Sequence, residues 1–407
     1  MRRLRCAASS IAAMACALGA ALIALPGVAQ ESPLKFRLAE AVTWDGNVFR
    51  VPDTVSDPLI ARGLTGRADR ITATTIGLNF DKTYSQQQLS LDLSQTATRY
   101  AKFNSLDLDA FAYRAAWQWH LTPRISGSFN AERNETLVDF VDTLGVQRIS
   151  RLTTSRGVSV DGWLFGGWHL IAGASKLVSL NSAVFAAQPS SSQDIVHLGV
   201  RYITSAQSSI GYTRRIYKGV NTGQAVDLVN FIDSEFTTQD DELSATWIAS
   251  AKSTLNGRLT RTERREPHFP QRNFSGVSGE VLYAWRAAGS LNVNLSATRS
   301  VIPFAGSLDS SYRVDNTLAV VPIWQVGAHT TLRLNAYRRT ADFLGSVNPA
   351  GSAARRDIYR VLEVGASWVP HRTLTLGATL RRESRTSTGA GLPYEATVAG
   401  VTGALTF

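Results

Sequence analysis

Thr373-Leu374-Thr375-Leu376-Gly377-Ala378-Thr379-Leu380-Arg381 decides the fold. Leu374, Leu376, Ala378 and Leu380 alternate with Thr373, Thr375, Gly377, Thr379 and Arg381. Successive strand side chains point to opposite faces, so such a segment carries one oily and one polar face. The same period recurs upstream. Leu89, Leu91 and Leu93 alternate with Ser90, Asp92 and Ser94. Leu291, Val293 and Leu295 alternate with Asn292, Asn294 and Ser296, and Leu332 and Leu334 with Arg333 and Asn335. Helical periodicity is hard to find, and beyond the first 30 residues there is no apolar run long enough for a transmembrane helix.

A soluble sandwich also alternates in this way, but two features favour a membrane barrel. Short connections fall near 83–86, 120–124, 166–168, 204–208, 249–253, 287–289, 326–330 and 370–372. Longer polar stretches lie between them at 45–68, 136–152, 181–193, 218–236 and 345–356. Short turns on one rim and long loops on the other are the outer-membrane arrangement. The short turns pair up the inner strands, and one more strand at each end gives an expected total of about eighteen. Tryptophan placement is the second feature. Trp117, Trp119, Trp163, Trp168, Trp247, Trp285, Trp324 and Trp368 all lie beside short turns, joined by Tyr202 and Tyr283. Such rings favour the membrane–water interface, being apolar with one polar group. The expected fold is therefore all-β: a single transmembrane antiparallel barrel, porin-like, with a wet polar lumen. Leu91, Val293, Leu334 and Leu376 should face lipid, and Asp92, Asn294, Arg333 and Thr375 the lumen. Leu376 is placed near mid-membrane.

The two ends of the chain fit this reading. Arg2, Arg3 and Arg5 precede an apolar run from Ile11 to Pro26, and Gly27-Val28-Ala29 supplies small residues for cleavage. Residues 1–29 are thus expected to be a cleaved signal peptide, and 30–407 the barrel. Both cysteines and both methionines lie in that leader, which excludes disulfides and cysteine chemistry from the mature chain. Subtracting its three arginines takes the formal charge from +10 to +7. The alternating last strand ends in Phe407, as expected of a signal for the outer-membrane barrel assembly machinery. Location in a Gram-negative bacterial outer membrane, in contact with its lipids, follows.

Several segments also carry a family resemblance. They are Gly46-Asn47-Val48-Phe49-Arg50, the run from Tyr113 to Arg124 (YRAAWQWHLTPR), Gly166-Gly167-Trp168-His169-Leu170, Lys252 to Leu259 (KSTLNGRL) and Phe269 to Gly276 (FPQRNFSG). Together they resemble the EpsL-type outer-membrane proteins of exosortase-associated exopolysaccharide operons, over nearly the whole mature chain. The resemblance implies an outer-membrane component of exopolysaccharide synthesis or export.

Catalytic chemistry finds little support. Of the six histidines, His120, His169, His329 and His371 lie at or beside short turns, His268 in an outer loop and His197 within a strand. None is grouped with a nucleophile in the way a Ser-His-Asp site needs, and His-x₃-His ligand pairs are absent. No enzyme activity, cofactor, metal or nucleic-acid partner is expected. Strand parity gives Arg201, Glu242, Arg258, Glu280, Arg333, Arg339, Glu363 and Arg381 as candidate lumen-lining groups. Glu242 lies diagonally from Arg258, and Glu363 likewise from Arg381, in positions where opposite charges can stabilise the wall. Surplus arginines would suit anionic sugars. The expected function is passive conduction of exopolysaccharide through the lumen. The alternatives are a general diffusion porin for small solutes and a polysaccharide-modifying enzyme. Since the first strand follows the leader closely, a separate periplasmic polysaccharide-export protein is expected on the short-turn rim. His120, Arg124, His169, Lys252, His329, His371 and Arg372 are its candidate contacts.

Overall fold

The computed structural model describes residues 32–52, 66–141, 148–185, 187–223, 226–228, 231–348, 354–389 and 392–407. The expected signal peptide, 1–29, lies outside them. The chain runs through β1 (Leu34–Asp45), β2 (Asp69–Tyr84), β3 (Gln87–Tyr100), β4 (Leu108–Thr122), β5 (Ile125–Leu137) and β6 (Ser150–Phe165). Next come β7 (Trp168–Asn181), β8 (Ser191–Ile203), β9 (Ser209–Asn221), β10 (Glu235–Ser250), β11 (Ser253–Arg265) and β12 (Phe274–Ala288). It ends with β13 (Leu291–Ser307), β14 (Ser310–Gln325), β15 (Thr330–Leu344), β16 (Arg356–His371), β17 (Leu374–Ser387) and β18 (Tyr394–Thr406). Each strand pairs antiparallel with the next. β1 also pairs with β18, from Arg37↔Thr406 to Asp45↔Val398, and this closes an 18-stranded barrel. Closure leaves no open edge strand among the described residues, which is the condition for crossing hydrocarbon with β-structure.

All eight short turns fall on one rim, at 85–86, 123–124, 166–167, 204–208, 251–252, 289–290, 326–329 and 372–373. Gly166 takes φ +53° in its two-residue turn, a conformation glycine adopts without steric cost. The opposite rim carries the longer connections with one exception: β13 and β14 are joined by residues 308–309 alone. There the strands themselves extend outward, β13 being 17 residues long.

Strands of 12 to 17 residues outrun the roughly ten that a membrane-crossing strand needs. A 14-residue strand such as β17 rises about 35 Å at ~3.3 Å per residue and ~40° tilt, against an apolar band of ~25 Å. The excess lies on the long-loop side. Above the band both faces meet water, so the alternation stops before the backbone ladder does. Hence β5 and β6 take in 136–137 and 150–152 from the stretch 136–152, and β9 and β10 take in 218–221 and 235–236 from 218–236.

Register fixes the two faces. Glu383 and Arg385 of β17 are buried inside the barrel, so Thr375, Thr379 and Arg381 share their inward face, while Leu376 and Leu380 point to lipid. Leu376 pairs with Trp368, however, and therefore lies in the interfacial row instead of at mid-membrane. Leu380, opposite Val364 and 56% exposed, occupies the central position. Trp117, Trp168, Trp247, Trp285, Trp324 and Trp368 project from the short-turn end of the wall and are exposed there. Trp119 is buried, because it lies over Gly127, where a Cβ would come within 2.4 Å of the ring. Trp163 departs from the girdle. It shares a register row with His169 on the inward face, and Arg124 lies over its ring at 4.6 Å.

The apolar interior is confined to the long-loop mouth. Val48, Phe49, Phe103, Leu106 and Phe140, from three different outer connections, form one buried cluster. Phe49 meets Phe103 and Phe140 edge-on, at centroid distances of 4.8 and 5.0 Å. A second cluster gathers Ala187, Phe304, Ala341, Phe343 and Tyr359, with Val141 packed against it. The outer connections thus fold inward over the lumen.

A polar clasp holds two further outer loops together. His268 donates its backbone N–H to Asp233 at 2.7 Å, and its Nδ1 lies 2.8 Å from the same carboxylate. Burial alone would raise the Asp233 carboxyl. The hydrogen bonds from His268 and from the Glu235 N–H outweigh burial and hold it below its ordinary value. The clasp is therefore fully present above the ordinary carboxyl range and is lost as pH falls through the lowered value. Asp233→Asn should increase protease cleavage of the β9–β10 loop at neutral pH. The unaltered protein should show the same sensitivity only in strong acid, and equal sensitivity of both proteins at neutral pH would contradict the assignment.

Candidate functional site

Beneath the folded-in connections, on the inward side of the wall, lies a polar cavity of about 360 Å³. Its lining comes from β1, β2, β3, β15, β16, β17 and β18, from the turn carrying Val48 and Arg50, and from 137–141. The local sequence of β17 explains one wall: Arg381, Glu383 and Arg385 alternate, so all three point inward. Glu383 is buried and accepts contacts from both Arg50 and Arg381. The segment after β5 reaches across to the β15–β17 side, where Arg385 donates to the Val141 carbonyl and pins it.

Arg50 reaches this point from a tight turn after β1. Asn47 donates its backbone N–H to Asp45 at 2.8 Å and its side-chain amide to the Val51 carbonyl at 2.7 Å. Arg50 itself takes φ +53°, a strained conformation for a long side chain. Its guanidinium lies 2.9 Å from Asp45. Burial would weaken its hold on the proton, but Asp45 and Glu383 more than offset that, so it is firmly cationic. On β14 and β15, Arg313 lies 2.9 Å and Arg339 3.8 Å from the buried Asp315, and Arg339 also stacks over Tyr359 at 3.9 Å.

The arginines and their acids are unequally placed. Arg381 is 38% exposed against 4% for Glu383, and Arg339 29% against 8% for Asp315. Solute in the lumen therefore meets guanidinium groups, with the carboxylates tucked behind them. Nε of Arg339 and of Arg381 has no hydrogen-bond partner among the described residues.

The structure places all eight lumen-lining candidates on the inward face, though not all in one site. Of the eight, Arg339 and Arg381 border the cavity. Arg201 lies toward the short-turn rim, where it and His169 share Asp161, with His169 Nδ1 2.7 Å away. Glu242, Arg258 and Glu280 form a wall network with Arg215. Arg258 reaches Glu280 at 2.9 Å and Glu242 at 3.9 Å, while Arg215 holds Glu242 at 2.8 Å. Arg333 is exposed to the lumen. Glu363 lies directly opposite Arg381, but Arg381 turns instead to Glu383, one step along its own strand. The sequence reading missed Asp45, Arg50, Arg313, Asp315, Glu383 and Arg385. The charged i, i+2 steps on β14 and β17 were the available signal.

On the short-turn rim, His120 Nδ1 lies 3.1 Å from the Gln86 carbonyl and His371 Nδ1 2.9 Å from the Thr373 hydroxyl. Arg124, Lys252, His329 and Arg372 occupy the turns. His169 does not join them, because its ring is drawn into the lumen by Asp161.

Similarity to solved structures lies in the fold. Pseudomonas aeruginosa OccK2 (OpdF) in complex with glucuronate is 12% identical, with a TM-score of 0.53 over 92% of this chain and 98% of that one. OpdQ of the same organism is 10% identical, with a TM-score of 0.52 over 92% and 97%. OpdK with vanillate is 12% identical, with a TM-score of 0.50 over 92% and 99%. No protein-family model and no curated protein matches the chain. The class that the fold defines is a porin-like, 18-stranded barrel of the outer-membrane type.

Proposed function

We propose that the protein is a passive diffusion channel for small anionic solutes, carboxylates above all. The observation that carries this reading is the exposure of Arg339 and Arg381 to the lumen while Asp315 and Glu383 lie buried behind them. An exposed planar guanidinium suits a carboxylate, and desolvated walls strengthen the attraction. The cavity is near the lower end of volumes that hold small ligands, and the segment pinned by Arg385 forms part of its lining. The solved relatives carrying glucuronate and vanillate, both carboxylates, support the same solute class. Conduction of an exopolysaccharide is the second reading. It draws on the sequence resemblance and would require the pinned segment to move aside, with the rim around Arg124, Lys252 and Arg372 receiving an export protein.

Reversal potentials across a planar bilayer test the proposal. The barrel should prefer anions, and Arg339→Ala with Arg381→Ala should remove most of that preference. Cation preference in the unaltered barrel would overturn it. Loss of polymer secretion on deleting the gene, with small-carboxylate uptake intact, would move the assignment to export.

A further inference from the structure

The membrane-facing wall carries two arginines that the lumen does not explain. Arg338 of β15 and Arg360 of β16 are direct cross-strand partners, and both are exposed on the lipid side. Like charges placed opposite each other on a sheet destabilise the pair. Three other arginines on the same wall have partners. Arg299 donates to Asn316 at 3.0 Å, Arg382 to Glu395 at 3.1 Å, and Arg356 lies 3.4 Å from Asp342. Arg338 and Arg360 have neither an ion pair nor a side-chain hydrogen bond among the described residues.

Their height is informative. Arg360 lies eight residues along β16 from the interfacial Trp368, about 20 Å up the membrane normal at ~3.3 Å per residue and ~40° tilt. That places both guanidinium groups near the outer boundary of the ~25 Å apolar band, at head-group level. Beside them, and reaching one register row toward the short turns, runs an apolar groove of about 680 Å³ that both arginines help to line. Leu318 and Leu362 form its ridges, and Ala297 and Ala336 its low points. A cationic pair beside an oily trough matches one kind of molecule, an acyl lipid with a phosphorylated head.

The geometry points to a lipid site in which Arg338 and Arg360 together hold a phosphate of the outer leaflet's phosphorylated glycolipid, with an acyl chain in the groove beside them. A phosphate between the two guanidinium groups accepts paired hydrogen bonds from each and cancels their repulsion. Glycolipid is favoured over phospholipid because the long-loop rim, on the reading of this chain as an outer-membrane barrel, faces the outer leaflet.

The test uses the full mature barrel in detergent, with folding verified by heat-modifiable electrophoresis. The probes are diphosphorylated lipid A, its dephosphorylated form and phosphatidylglycerol. The unaltered barrel should bind diphosphorylated lipid A most tightly, and Arg338→Gln with Arg360→Gln should weaken that binding by roughly tenfold per arginine. Arg382→Gln should leave it unchanged. Equal binding by the double variant, equal loss in Arg382→Gln, or no preference for the phosphorylated form would overturn the site. Phosphatidylglycerol binding as tightly as lipid A would overturn the glycolipid assignment. Bilayer current through the double variant should be unaltered. A barrel that bound lipid A as described but did not conduct would sink the channel reading alone.

Discussion

Leu380→Arg should destabilise the barrel by about 2–4 kcal/mol, the cost of a cation at the lipid-facing midplane. Leu380 points outward at the centre of β17, between Val364 and Ala399. Thr379→Arg, one residue away but facing the water-filled lumen, should cost little. Leu376→Arg, in the interfacial row of Trp368, should fall between zero and about 1 kcal/mol. Urea unfolding in lipid vesicles measures all three. Equal losses at positions 379 and 380 would contradict the assigned faces, and a large loss at 376 would contradict the assigned depth.

Unpinning the mouth should have the largest effect on transport. Phe140 is buried against Phe49, and Arg385 of β17 holds the Val141 carbonyl. Neither interaction belongs to the strand ladder, so Phe140→Ala with Arg385→Ala should free the inward segment and leave the barrel closed. Single-channel conductance should rise several-fold, with noisier open-state current as the segment fluctuates. Anion preference should persist, because Arg339 and Arg381 remain. Unchanged conductance would show that the segment does not limit the passage.

Most of the wall was legible because its code is local and binary. The alternation at Leu374–Leu380 and the turn at Gly166 each reflect only nearby residues and the two solvents on either side. The interior was legible only in part. Parity puts Arg339 and Arg381 on the inward face, since facing depends on position along one strand. Their partners were not readable, because Glu383 is shared by Arg381 on its own strand and by Arg50 from a loop more than three hundred residues earlier. The mouth was the least legible part. Phe49, Phe103 and Phe140 come from three separate connections, and nothing periodic in any one of them announces the other two. Depth was misjudged at Leu376 because strands continue past the membrane on one side only, so the middle of an alternating stretch is not the middle of the bilayer.

The pairing of β1 with β18 differs in kind from every other junction in the wall. All the others join strands adjacent in sequence and can zip from a hairpin. This one brings Arg37 to Thr406, a separation of 406 − 37 = 369 residues. Such a contact gains nothing until nearly the whole chain has been ordered, so loop-closure entropy makes it the slow, late step. Before that step the sheet has two open edges that can pair with other chains. The assembling protein is therefore at greatest risk of aggregation just before it is complete, and the seam that ends this risk is also where assembly can most readily be assisted or blocked.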